Sequence, residues 1–180
     1  MTQINQINVT YNAAEDRLLL RLTAPAPEGI AEYRMWLTRR FVSLMWKGLE
    51  QVLESDTAGD PAVQPDTRRA VQQFREEAAL SSADFKTPYN GGEAAVSPLG
   101  DEPLLVTRLN IRETGDEKKT LVFSDNSGRG ITLTLAPHMI HSVRKLIADT
   151  ARRAEWNLDI SLYSQSELRE VENQSERTLN

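Results

Sequence analysis

Apolar residues recur along this chain with two different periods, and the change from one to the other falls inside Glu32–Glu54, EYRMWLTRRFVSLMWKGLEQVLE. Tyr33, Met35 and Leu37 alternate with Glu32, Arg34 and Trp36, which is the period of a half-buried strand. Thr38 ends the alternation and can accept a hydrogen bond as a helix N-cap. From Phe41 the spacing is helical, through Leu44, Met45, Gly48, Leu49, Val52 and Leu53. Two strands are predicted ahead of this segment. Ile4–Tyr11 alternates Ile7, Val9 and Tyr11, and Arg17–Thr23 sets Leu18, Leu20 and Leu22 against Arg17, Leu19, Arg21 and Thr23. Asn12–Asp16 supplies the turn between them, and the two prolines of Ala24–Gly29 predict a loop. The first unit therefore reads β-β-β-α.

The same order returns later. Pro103–Thr114 is predicted as a strand with Leu105, Thr107, Leu109 and Ile111 on one face. Gly115–Lys118 is a turn, Lys119–Ser124 a strand, Asp125–Gly130 a hairpin loop and Ile131–Leu135 a strand. Pro137 suits a first helical position, and the helix is predicted through Trp156 on a stripe of Met139, Ile140, Val143, Leu146, Ile147 and Ala151. A shift of 98 residues pairs Met35 with Leu133, Leu37 with Leu135, Phe41 with Met139, Met45 with Val143 and Leu49 with Ile147. The likeness is one of pattern rather than identity, and it predicts an internal repeat. Leu158–Tyr163 is expected to add a last strand.

The expected fold is α+β: two β-β-β-α repeats, 1–54 and 104–163, with antiparallel sheet and two main helices, related by a pseudo-twofold within one domain. Between them, 55–103 reads as an inserted connection. Its breakers predict loop, apart from a weakly docked helix over Asp66–Leu80 capped by Asp66, with Ala70, Val71, Phe74, Ala78 and Leu80 as a thin apolar stripe. Residues 164–180 are polar and charged and are expected to be disordered.

Charge sharpens this division. Residues 1–54 carry six basic and six acidic side chains, whereas 55–103 carry four and nine. Residues 104–163 carry nine and seven, and 164–180 two and four. The acid thus sits in the inserted and terminal stretches, and the nearly neutral repeats lack the field that non-specific phosphate binding needs. The absence of cysteine excludes disulfides and thiolate metal sites and predicts a cytoplasmic protein. No apolar run is long enough for a membrane span, and the N-terminus has no secretory pattern.

Candidate chemistry is sparse. His138 and His141 stand three apart on a predicted helix and could begin a zinc site, but a third or fourth ligand is needed and no cysteine is available. They read better as surface histidines, and no metal or cofactor is predicted. Neither DNSGRG nor YNGGE enters a helix with a phosphate-loop pattern, so both read as turns. No nucleophile elbow or paired carboxylates point to catalysis. The one basic–aromatic cluster is Arg34, Trp36, Arg39 and Arg40, with Arg17 and Arg21 facing outward on the neighbouring strand. Arginines and an aromatic on an open sheet face suit single-stranded nucleic acid, through phosphate contacts and base stacking. Otherwise the insertion or a second copy covers Trp36, and the arginines pair with Glu15, Asp16, Glu28 or Glu32. Met45 and Trp46 widen the apolar arc of the first helix beyond one face, which marks them as a candidate dimer interface, although an ordinary core helix buried on two sides explains the arc too.

The doubled order of strands then helix resembles, in topology, the tandem repeats of the Pur-alpha and Whirly single-strand binders, and no site residue carries over. The segment EYRMWLTRRF is similar to segments of small uncharacterised bacterial proteins, which implies no function. The sequence leads to a non-enzymatic binding or assembly protein of the bacterial cytoplasm acting as a homodimer. The alternative is a single-stranded nucleic-acid binder using the Arg/Trp sheet face.

Overall fold

The structure is a computed structural model that describes residues 4–55, 64–91, 94, 96–114, 118–160 and 162. It is an α+β fold of two sheets and three helices. The first sheet contains β1 (Gln6–Asn12), β2 (Arg17–Ala26), β3 (Gly29–Thr38) and the short β4 (Leu104–Leu105), in that order. β1 to β3 form an antiparallel meander, and β4 joins β3 in parallel. The second sheet is the antiparallel meander β5 (Arg108–Glu113), β6 (Lys119–Ser124), β7 (Gly130–Leu135).

β3 runs directly into α1 (Arg39–Ser55), and Thr38 caps it: the Phe41 amide donates to Thr38 Oγ1 at 3.2 Å. α3 (Pro137–Arg153) follows β7 through Ala136. The order three strands then helix occurs twice, and the two helices begin 98 residues apart and end 98 residues apart, while the strands before them do not keep that spacing. α3 packs against β1 and α1 against β5, so each unit's helix reaches the first strand of the other. One apolar cluster joins Leu18, Leu20, Met35 and Leu37 of the first sheet to Leu121, Phe123, Leu133 and Leu135 of the second. Burial of these side chains is worth roughly 1.5–3 kcal/mol each.

Several expected boundaries move, each for a physical reason. β2 and β3 continue through most of the expected Ala24–Gly29 loop, leaving a tight turn at Pro27–Glu28 before Gly29 at φ 119°. Pro25 is tolerated because β1 pairs only as far as Thr23, so β2 is laddered on one side there. The expected strand Pro103–Thr114 is divided between the two sheets. The Val106 amide donates to Trp36 O in the first sheet, and the next amide, Thr107, donates to Ser124 O in the second. Residues 157–160 form no strand, although Trp156, Ile160 and Leu162 are buried. The expected Gly115–Lys118 turn and the tail fall almost wholly outside the described residues.

The inserted helix, α2, spans Pro65–Ser82 and docks on α3. Its cap position is Gln64, and Asp66 lies in the first turn instead. Its polarity is inverted relative to the expected stripe. Phe74 is 72% exposed and Val71 is exposed too, whereas Gln72, Glu76 and Ala79 face inward.

Candidate functional site

The outer face of the first sheet is built from alternate residues of three strands. Pairing sets Arg21 beside Arg34, Leu19 beside Trp36 and Arg17 beside Thr38. Arg17, Arg21, Arg34 and Trp36 therefore share one face, all half-buried, with the more exposed Leu105 of β4 next to Trp36. Their charges are already engaged. Arg21 donates to Asn8 Oδ1 at 2.7 Å and lies 4.6 Å from the ring centroid of Tyr89. Arg34 donates to the carbonyls of Gly100 and Asp101, and Arg17 meets Glu15 at 3.0 Å. Arg39 and Arg40 are off this face, at the start of α1. Arg39 pairs with Asp16 at 3.2 Å and stacks on Trp156, while Arg40 is exposed. The inserted connection thus supplies partners to two of the sheet arginines.

Tyr89 anchors that connection. Its hydroxyl donates to Glu32 Oε1 at 2.8 Å, and burial, reinforced by Glu32, pushes its phenol well above the usual range. Asp16 shifts the other way: hydrogen bonds from Trp156 and Tyr11 hold its carboxyl below the usual range.

The first helix differs from expectation in a way that matters. Met45 and Trp46, marked as a dimer interface, are 3% and 1% exposed within one chain. Their surface is taken up internally. The Arg144 guanidinium of α3 lies 4.4 Å from the Trp46 ring centroid, and Trp46 Nε1 donates to Glu50 Oε1 at 3.0 Å. Arg144 also meets Glu50 at 3.4 Å and Glu76 of α2 at 3.6 Å. Burial raises the Glu50 carboxyl, and the Arg144 charge and the Trp46 hydrogen bond oppose that rise. His141, expected on the surface, is buried here, with Nδ1 3.8 Å from Glu76 Oε2; only His138 is exposed. The buried polar side of α2 is the cause, because a buried Glu76 carboxylate needs polar groups and the Arg144 charge opposite it. The junction is a three-helix clamp around buried charge. Among the described residues no group of three His, Asp or Glu could hold a metal ion.

A groove runs along α3 and another along α1. The first, about 560 Å³, runs between α3 and β1 and is lined by 4–8 consecutively together with Met139, Ser142 and Leu146. The second, about 580 Å³, runs between α1 and β5 and is lined by 107–111 consecutively together with Phe41, Leu44, Gly48 and Val52. A cavity lined by successive rather than alternate strand residues follows the strand's edge, not one of its faces. The two grooves correspond through the 98-residue offset: Phe41 takes the place of Met139, Leu44 of Ser142 and Gly48 of Leu146. The α3–β1 groove is walled by the chain's own segment. Phe85, Thr87 and Tyr89 line it, Gln6 Nε2 donates to Pro88 O, and the Asn90 amide donates to Gln6 Oε1. In the α1–β5 groove Leu44 is 60% exposed, and no inserted segment lines it among the described residues.

Protein-family models, curated proteins and solved structures gave no match to this chain. Sequence reasoning missed Leu44, Leu109 and Ile111 as a joint surface. The available signal was the surplus apolar arc of α1, whose uncovered member is Leu44 rather than Met45 or Trp46.

Proposed function

We propose that this chain is a non-enzymatic binding or assembly protein and that its working surface is the groove between α1 and β5. The observation that carries the reading is Leu44, a large apolar side chain 60% exposed beside an apolar cleft whose counterpart is walled by the chain's own segment. β5 pairs with β6 on one side only, and its other edge carries no strand among the described residues. A helix beside an open strand edge can take an extended peptide, whose main chain supplies hydrogen bonds while the cleft accepts alternate side chains.

Single-stranded nucleic acid on the outer sheet face is the second reading. Arg17, Arg21, Arg34 and Trp36 do share that face, yet Asn8, Tyr89, Glu15 and the carbonyls of 100 and 101 already hold the arginines. A strand of phosphates would have to displace them. Homodimerisation belongs to the proposal as one form of assembly. Equilibrium sedimentation tests it: a mass near twice the 20.3 kDa chain supports a dimer, and a single-chain mass at every concentration removes it.

The groove itself is tested by selecting peptides from a random displayed library on the full chain and on Leu44→Glu. Binders that depend on Leu44, whatever their composition, support the reading. Binders indifferent to Leu44, or none, overturn it.

A further inference from the structure

We infer that the α1–β5 groove takes an extended acidic segment of a partner protein, with carboxylates alternating with large apolar side chains, which adds as a strand along the free edge of β5. The inference rests on the groove reading above and names its occupant.

Three observations carry it. First, α1 puts no side chain into the groove at Gly48. Gly48 stands where the α3–β1 groove has Leu146, and Ile111 Cδ1 lies 3.5 Å from where a Gly48 Cβ would be. Glycine is disfavoured inside a helix relative to alanine, and here it leaves the floor between α1 and β5 bounded by Ile111 instead of by an α1 side chain. Second, the path is straight. Gly48 lies beside Ile111, and farther along Ser55 Oγ donates to Glu113 Oε1, so helix and strand advance in the same direction. Third, cations stand at and near the groove. Arg108 lines it, Arg112 lies farther along β5, and Arg40 and Lys47 stand about a turn from Leu44 on α1; all four are exposed. Arg108 also donates to Asn126 O at 3.0 Å. The acids Glu54 and Glu113 lie at the far end, where Lys119 holds Glu113 at 3.1 Å. A carboxylate-bearing strand complements those cations.

The other occupants fit less well. A second copy pairing its own β5 antiparallel about Asn110 would set arginine against arginine, and like charges directly opposite are destabilising. A single nucleic-acid strand would find the charge but no stacking platform among the described residues: the aromatic residue that lines the cleft there, Phe41, is 8% exposed.

The test is fluorescence anisotropy on the full chain with four labelled probes: a seven-residue peptide alternating glutamate with valine or phenylalanine, its lysine counterpart, heptaglutamate and a twelve-nucleotide oligothymidylate. The alternating acidic peptide is expected to bind, more weakly as salt rises, with the other three at least about tenfold weaker. Leu44→Glu, and separately Gly48→Leu, which fills the floor, should each weaken it about tenfold or more, with circular dichroism showing both variants folded. Leu44-dependent binding of the lysine peptide would overturn the acidic occupant and leave the groove reading intact. No Leu44-dependent binding of any peptide would overturn both. Oligothymidylate binding lost in Arg34→Ala would move the function to the outer sheet face.

Discussion

Leu44 of α1 and Ser142 of α3 stand at the same place in two corresponding grooves, and their exposure is the reverse of their polarity. The serine is half-buried in a groove walled by Phe85 and Tyr89, while the leucine is 60% exposed. Ser142 needs no outside partner, since its Oγ donates to His138 O at 3.1 Å. Leu44 leaves apolar surface in water on a helix whose Phe41, Val42, Met45, Trp46, Leu49 and Leu53 are buried and whose Val52 is half-buried. One fold thus makes the same groove twice, and among the described residues its insertion walls one and does not line the other.

Trp46→Ala should destabilise the folded chain by about 3–5 kcal/mol, the usual cost of emptying a large buried site, because it also removes the ring beneath Arg144 and the donor to Glu50. Urea denaturation measures it. A near-neutral effect on stability together with weakened self-association would restore Trp46 as a subunit contact.

What could be read from the sequence was what local chemistry decides. The Thr38 cap, the faces of β2 and β3, the Asp125 hairpin and the 98-residue offset all follow from neighbours within one turn or one strand. The apolar stripe expected on α2 failed because the partners that draw Gln72 and Glu76 inward are remote: the Leu53 carbonyl, His141 and Arg144. The division of Pro103–Thr114 was hidden for a similar reason, since adjacent residues serve different sheets with no break in the apolar alternation. The surplus arc of α1 was legible; which of its residues the fold leaves outside was not. Arg144 decided that, by covering Trp46 from 98 residues away.

Gly48→Ala should raise stability by about 0.5–1 kcal/mol through helix propensity, since the added methyl meets Ile111 at 3.5 Å, an ordinary contact. Thermal denaturation checks the sign. A loss of stability would mean that Gly48 serves helix packing rather than the depth of the groove.

Alkaline pH should loosen the inserted connection. The Tyr89 phenol is raised in the folded state, first by burial and then by Glu32. Its contribution is therefore complete below the unfolded phenol value of about 10 and is lost as pH rises above it. The Tyr11 phenol is raised as well, through its hydrogen bond to Asp16, so ultraviolet titration of tyrosinate should show late ionisation beyond Tyr11 that Tyr89→Phe removes. A titration unchanged by Tyr89→Phe would place that side chain away from Glu32.

Amide hydrogen exchange bears most directly on the open groove as the working surface. The full chain is compared with and without the alternating glutamate peptide, at a concentration where anisotropy shows it bound. Slowed exchange confined to Arg108–Glu113 and neighbouring α1, and absent in Leu44→Glu, is the predicted result. Protection confined to β2 and β3, around Arg21, Arg34 and Trp36, with β5 unchanged, would contradict it.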